Sequence, residues 1–144
     1  MYNNDVAFAS PIFVSKMDIL YRNALNIKPL DGYQDIVCHA DKYSIIFKDQ
    51  NGVEDNISVD EFASILKESK FLNDKPIRLI ASEAAAKGSV VAQSLADKLG
   101  MKVLAPDGLV FVYPDGKMRI VNFDSGTAKE GGWVGVEPKS KNRL

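Results

Sequence analysis

Hydrophobic residues fall along the chain in short blocks rather than long ones, and the spacing within each block predicts its element. Asp35 to Ala40 is an apolar run that suits a buried strand, and Tyr43 to Phe47 suits a second one. The Asp49-Gln50-Asn51-Gly52 cluster marks a hairpin turn that returns Val53 to Ile57 onto it. Ser58-Val59-Asp60-Glu61 reads as a capping box, followed by Val59, Phe62, Ala63, Ile65 and Leu66 on one helical face.

Ile77 to Ala81 is another buried strand. Gly88-Ser89 opens a helix that carries Val90, Val91, Leu95, Ala96 and Leu99 to a glycine stop at Gly100. Lys102 to Ala105 repeats the strand pattern. Leu109 to Tyr113 and Lys117 to Val121 flank Pro114-Asp115-Gly116 as a hairpin, and Trp133 to Val136 is a short strand or docking segment.

The order strand, helix, strand, helix, strand predicts an α/β fold: a mainly parallel sheet flanked by helices on its faces, with β-hairpins. Ile12, Phe13, Val14, Met17, Leu20 and Tyr21 suit an amphipathic helix with Ser15 as its cap. Pro29 and Asp31-Gly32 break it. Residues 1–30 therefore read as an N-terminal extension or helix, 31–138 as one α/β domain, and 139–144 as a flexible tail.

Composition narrows the function classes. A length of 144 residues with 46% hydrophobic and 26% charged residues is that of one ordinary globular core. A net charge of −1 supplies no field for a polyanion, so nucleic acid is not an expected partner. No run approaches the roughly 18 apolar residues of a membrane span. The first residues lack the charged-then-apolar order of a secretory signal, so an exported product would travel by another route or as the tail of a larger chain. One cysteine, Cys38, excludes an internal disulfide. One His, one Cys and no spaced carboxylates predict no metal, and Ala-Ala-Ala-Lys-Gly-Ser is not a phosphate-binding loop, so no cofactor is expected.

Ligands of open parallel sheets bind beyond the carboxyl ends of the strands, where His39 and Ser82 stand. His39 is the only histidine, hence the first candidate for acid–base work near neutrality. The same residue also fits a partly buried histidine satisfied by backbone groups. Cys38 precedes it and so points to the opposite face of a strand, into a core. Asp41 is either an acid behind His39 or an ordinary turn residue. Glu83 is either a ligand contact or a helix-start carboxylate.

Four stretches carry a resemblance: Gly32 to His39, Pro76 to Ser82, Ala92 to Gly100, and Ala105-Pro106 with Tyr113 to Gly116, closed by Gly131-Gly132-Trp133. In this order, over residues 30 to 138, the chain resembles the C-terminal domains of bacterial polymorphic toxins, which look in turn like caspase-like (clan CD) cysteine peptidases. The resemblance implies a caspase-like fold and a His–Cys dyad, with the first strand ending in His-Gly and the later one in Ser-Cys or Ala-Cys before Asn-Thr-Gly. This chain has Ala40 where that glycine stands and Ser82-Glu83-Ala84 where Cys-Asn-Thr stands.

Two functions follow as expectations. One is an effector domain, with His39 as general base and Ser82 as nucleophile in acyl transfer. The other is a binding module that does no chemistry and uses the same cleft for a protein partner such as an immunity protein. The resemblance places either in a secreted effector acting in a target cell, or in the cytoplasm.

Overall fold

The computed structural model describes residues 11–48, 51–124 and 126–139. Among them, ten strands and three short helices form a mostly β molecule. β1 (Ile12–Phe13), α1 (Ile19–Ala24), β2 (Gln34–Ala40), β3 (Ile45–Lys48), β4 (Glu54–Ile57) and α2 (Val59–Glu68) come first. β5 (Ile77–Ile80), α3 (Val91–Leu99), β6 (Val103–Pro106), β7 (Leu109–Val112), β8 (Met118–Asp124), β9 (Thr127–Glu130) and β10 (Trp133–Val136) follow.

The larger sheet runs β10-β6-β5-β2-β3-β4, with β1 also paired to β2, and the smaller one runs β7-β8-β9. Parallel pairing is confined to β1–β2, β2–β5 and β5–β6, whereas β3, β4, β10 and the whole small sheet pair antiparallel. The expected mainly parallel, helix-flanked, caspase-like α/β sheet is therefore not what the chain forms. Strand–helix alternation holds at β1–α1–β2 and between β4 and β6, and in the second stretch α2 and α3 lie together on one face.

The opposite face takes no such layer. Val37 and Ile80 of the large sheet meet Val110, Val112 and Met118 of the hairpin, together with Leu20 and Ala24 of the six-residue α1. The two apolar strands of a hairpin look the same in sequence whether they extend a sheet edge or lie across a sheet, and here they lie across it.

α2 and α3 form where the pattern placed them. Ser58 Oγ accepts the Glu61 amide at 3.0 Å, and Val59, Phe62, Ala63 and Leu66 are the buried face of α2. α3 buries Val91, Ala92, Leu95 and Ala96 and ends on Gly100 in the left-handed conformation.

The described part of the segment before residue 31 contributes a strand to the sheet. Ile12 and Phe13 pair in parallel with Val37 and Cys38, forming a strand where the apolar spacing suggested a helix. The helix begins later and is capped by Asp18, not Ser15, with Asp18 Oδ1 accepting the Leu20 amide. Phe13 is 2% exposed and packs its ring against Phe47, Phe62 and Phe71. The expected tail, 139–144, lies outside the described residues apart from Lys139.

One polar contact is buried between the layers. Asp35 and Arg78 are register partners on β2 and β5, and the guanidinium holds both carboxylate oxygens at 2.7 Å. Arg78 also donates to the Lys28 carbonyl and lies 5.8 Å from the Trp133 ring centre. The bidentate geometry and stacking satisfy a charge that the apolar layers would otherwise exclude.

Candidate functional site

β2 and β5 are neighbours with Val37 opposite Ile80. The pairing stops there, because β5 ends at Ile80 and Ser82 stands in the turn just beyond it. Side chains alternate along a strand, so His39 shares the face of Val37. Both side chains find partners in the layer on that face, His39 at Asp18 before α1 and Ser82 at Val110 of β7. Cys38 points the other way into the core, where burial pushes its thiol up to about 12.

The two side chains are nevertheless held by other partners, and no hydrogen bond joins them. His39 Nε2 lies 2.7 Å from Asp18 Oδ2, an arrangement in which the ring N–H donates to the carboxylate. Asp18 thus joins the start of α1 to the end of β2 with its two oxygens. Burial pushes its carboxyl up, but the hydrogen bonds from His39 and the Leu20 amide and the charges of His39 and Lys48 outweigh this and hold it below 3.8.

Ser82 Oγ accepts the Val110 amide at 3.0 Å. Beyond it the chain turns sharply, with Glu83 in the left-handed region at φ 64. The next three amides are all engaged: Glu83 N donates to the Gly108 carbonyl, Ala84 N to Ala81 and Ala85 N to Pro106. An oxyanion formed at Ser82 would find none of those donors free. Asp41 takes the turn role, because its Oδ1 accepts the Tyr43 and Ser44 amides and the Ser44 hydroxyl. The acid behind His39 is Asp18. Its sequence signal was only that of a capping residue, and nothing local linked it to a strand end twenty residues on.

The open cleft of the molecule, about 520 Å³, lies beyond the carboxyl ends of β2, β5 and β6. Lys42, Glu83, Lys87 and Asp107 line it from the loops after those strands, and Asn122 and Lys129 from β8 and β9. His39 and Ser82 do not line it, so the cleft and these two residues are adjacent features rather than one. Asp107 is structural as well: its Oδ1 accepts the Gly132 amide and Asn122 Nδ2, pinning the connection into β10. Among the described residues, no three His, Cys, Asp or Glu side chains could together hold a metal ion. No helix there is long and apolar enough to cross a membrane.

A model of a domain of unknown function, DUF8616, matches residues 9–120. The chain belongs to the DUF8616 family. The DUF8616 match starts before β1 and runs into β8, so it takes in Asp18, His39, Lys42, Ser82 and Lys87. Lys129 of the cleft falls beyond the DUF8616 segment. No curated protein and no solved structure matches the chain.

Proposed function

We propose that the domain is a protein-binding module of the polymorphic-toxin type, carried in a secreted effector and recognising a protein partner such as an immunity protein without peptidase chemistry. The observation that carries this reading is the engagement of Ser82. Its hydroxyl oxygen receives the Val110 amide, and the three following amides donate to carbonyls. Acyl transfer by serine needs a base in contact with the hydroxyl and free donors for the oxyanion. Among the described residues no base is hydrogen-bonded to the Ser82 hydroxyl, and the three amides that follow it are taken.

A second reading has one observation in its favour. His39 lies near the end of β2 and Ser82 just past the end of the neighbouring β5, with Asp18 bonded to the ring and Nδ1 left to accept a proton. In that reading His39 is the general base and Ser82 the nucleophile of a hydrolase.

Expression of wild type, His39→Ala and Ser82→Ala in bacteria separates the two, with growth as the readout. Equal growth of all three, with each variant shown to be folded, is the outcome expected for a binding module. A toxic wild type beside two harmless, folded variants would sink it and establish the hydrolase.

A further inference from the structure

We infer that the cleft beyond β2, β5 and β6 is the recognition site itself and that it takes an acidic segment of the partner protein. This inference rests on the binding reading above and adds the chemistry of what is bound. The first ground is position: the cleft lies where parallel strands end, and its size is within the roughly 300–1,000 Å³ of ligand sites.

The second ground is charge. Lys42, Lys87 and Lys129 come from three separate places in the fold, the β2–β3 turn, the β5–α3 loop and β9, and line one concavity. Among the described residues none of them makes an ion pair, whereas Lys48, Lys98 and Lys117 each pair with a carboxylate. Three carboxylates share the lining: Glu130 is neutralised by Arg119, Asp107 keeps its charge while one of its oxygens accepts the Gly132 and Asn122 N–H groups, and Glu83 has no ion-pair partner among the described residues. The lysines therefore outnumber the carboxylates that no cation within the domain neutralises.

The third ground is the border of the cleft. β9 is the edge strand of the small sheet, all four of its residues are exposed, and Phe123 beside it is 60% exposed. An extended peptide could pair with that edge while its carboxylates meet the lysines and an apolar side chain covers the Phe123 ring. This is the geometry of strand addition, in which backbone bonds give affinity and side chains give selectivity. The Lys42 carbonyl is fixed by the Val90 amide and the Ser89 hydroxyl, so this wall is already in place.

The test uses a fluorescein-labelled hexaglutamate peptide and anisotropy with the whole chain at low salt. Binding should weaken by about tenfold or more in the triple variant Lys42→Gln, Lys87→Gln, Lys129→Gln. It should stay within about twofold in Lys67→Gln, Lys70→Gln, Lys75→Gln, which removes the same charge at the other end of the sheet. Equal loss in both triples, or no binding by wild type, would overturn the proposal. So would equal or tighter binding of a labelled single-stranded oligonucleotide, or full competition by inorganic phosphate at the same charge concentration. The two claims fail separately: a hydrolase outcome in the growth assay removes the binding reading whatever the lysines do, and a failed titration removes the acidic-peptide assignment while leaving that reading standing.

Discussion

Substituting Gly116 by alanine tests how the hairpin is fastened across the sheet. Gly116 closes the Pro114-Asp115-Gly116 turn at φ 86, where an L side chain costs about 1–2 kcal/mol. A Cβ there would also run into the Asn26 carbonyl and come within 2.8 Å of the Ile27 amide. These are backbone atoms at the end of α1 and cannot swing aside. The turn would have to lift, straining the Asn26 Nδ2 bond to the Pro114 carbonyl and loosening Val112 and Met118 against Ala24. With about 0.5–1.5 kcal/mol for that bond and a similar amount for packing, Gly116→Ala should lose about 2–5 kcal/mol. Gly100→Ala is the control, because Gly100 has φ 68 but nothing within 4 Å of a Cβ, so only the conformational cost of about 1–2 kcal/mol applies. Urea unfolding of the three proteins gives both numbers. Losses equal to within about 0.5 kcal/mol would refute the claim that the turn is seated on α1.

Further outcomes follow from the same contacts. Asp35→Ala strands the buried guanidinium of Arg78 and should cost about 3 kcal/mol in urea unfolding, with Asp35→Ala, Arg78→Met together costing less than the single change. Asp18 and Asp41 both titrate below 3.8 when folded, Asp41 chiefly through the Tyr43 amide, so the unfolded chain binds protons first and stability falls as pH drops from about 3.8 through the folded values. Asp18→Asn keeps a good cap and should flatten that acid limb, read as the urea midpoint between pH 6 and pH 3. Cys38, buried with its thiol pushed up to about 12, should stay unreactive to a thiol reagent at pH 8 until the protein is unfolded, and prompt labelling of the native protein would contradict its burial.

What the sequence made legible was local. Ser58 and Gly100 delimit helices by chemistry within a few residues of themselves, and the β7–β8 turn is written in three residues. β2 runs one residue past His39 and β5 stops two residues short of Ser82, so the ends of both strands were readable only to within a residue or two. The layer that hides Val37 and Ile80 was not readable, because nothing in Val110, Val112 or Met118 states which surface they meet. The partner of His39 was not readable either: Asp18 and His39 come together through α1 docking, a long-range event. The lysine cleft shares this origin, since Lys42, Lys87 and Lys129 are isolated charges until the strand order assembles them.

The four-ring cluster of Phe13, Phe47, Phe62 and Phe71 has a kinetic meaning. Its members come from β1, β3, α2 and the loop after α2, so the core it seeds cannot close until about sixty residues of chain have collapsed together. Ordering them pays loop-closure entropy before the rings return contact energy. Folding should therefore be limited by this non-local event, and Phe13→Leu, by weakening the N-terminal member, should slow refolding as well as hasten unfolding. Phe13, from the segment read in the sequence as an N-terminal extension, would then belong to the folding nucleus.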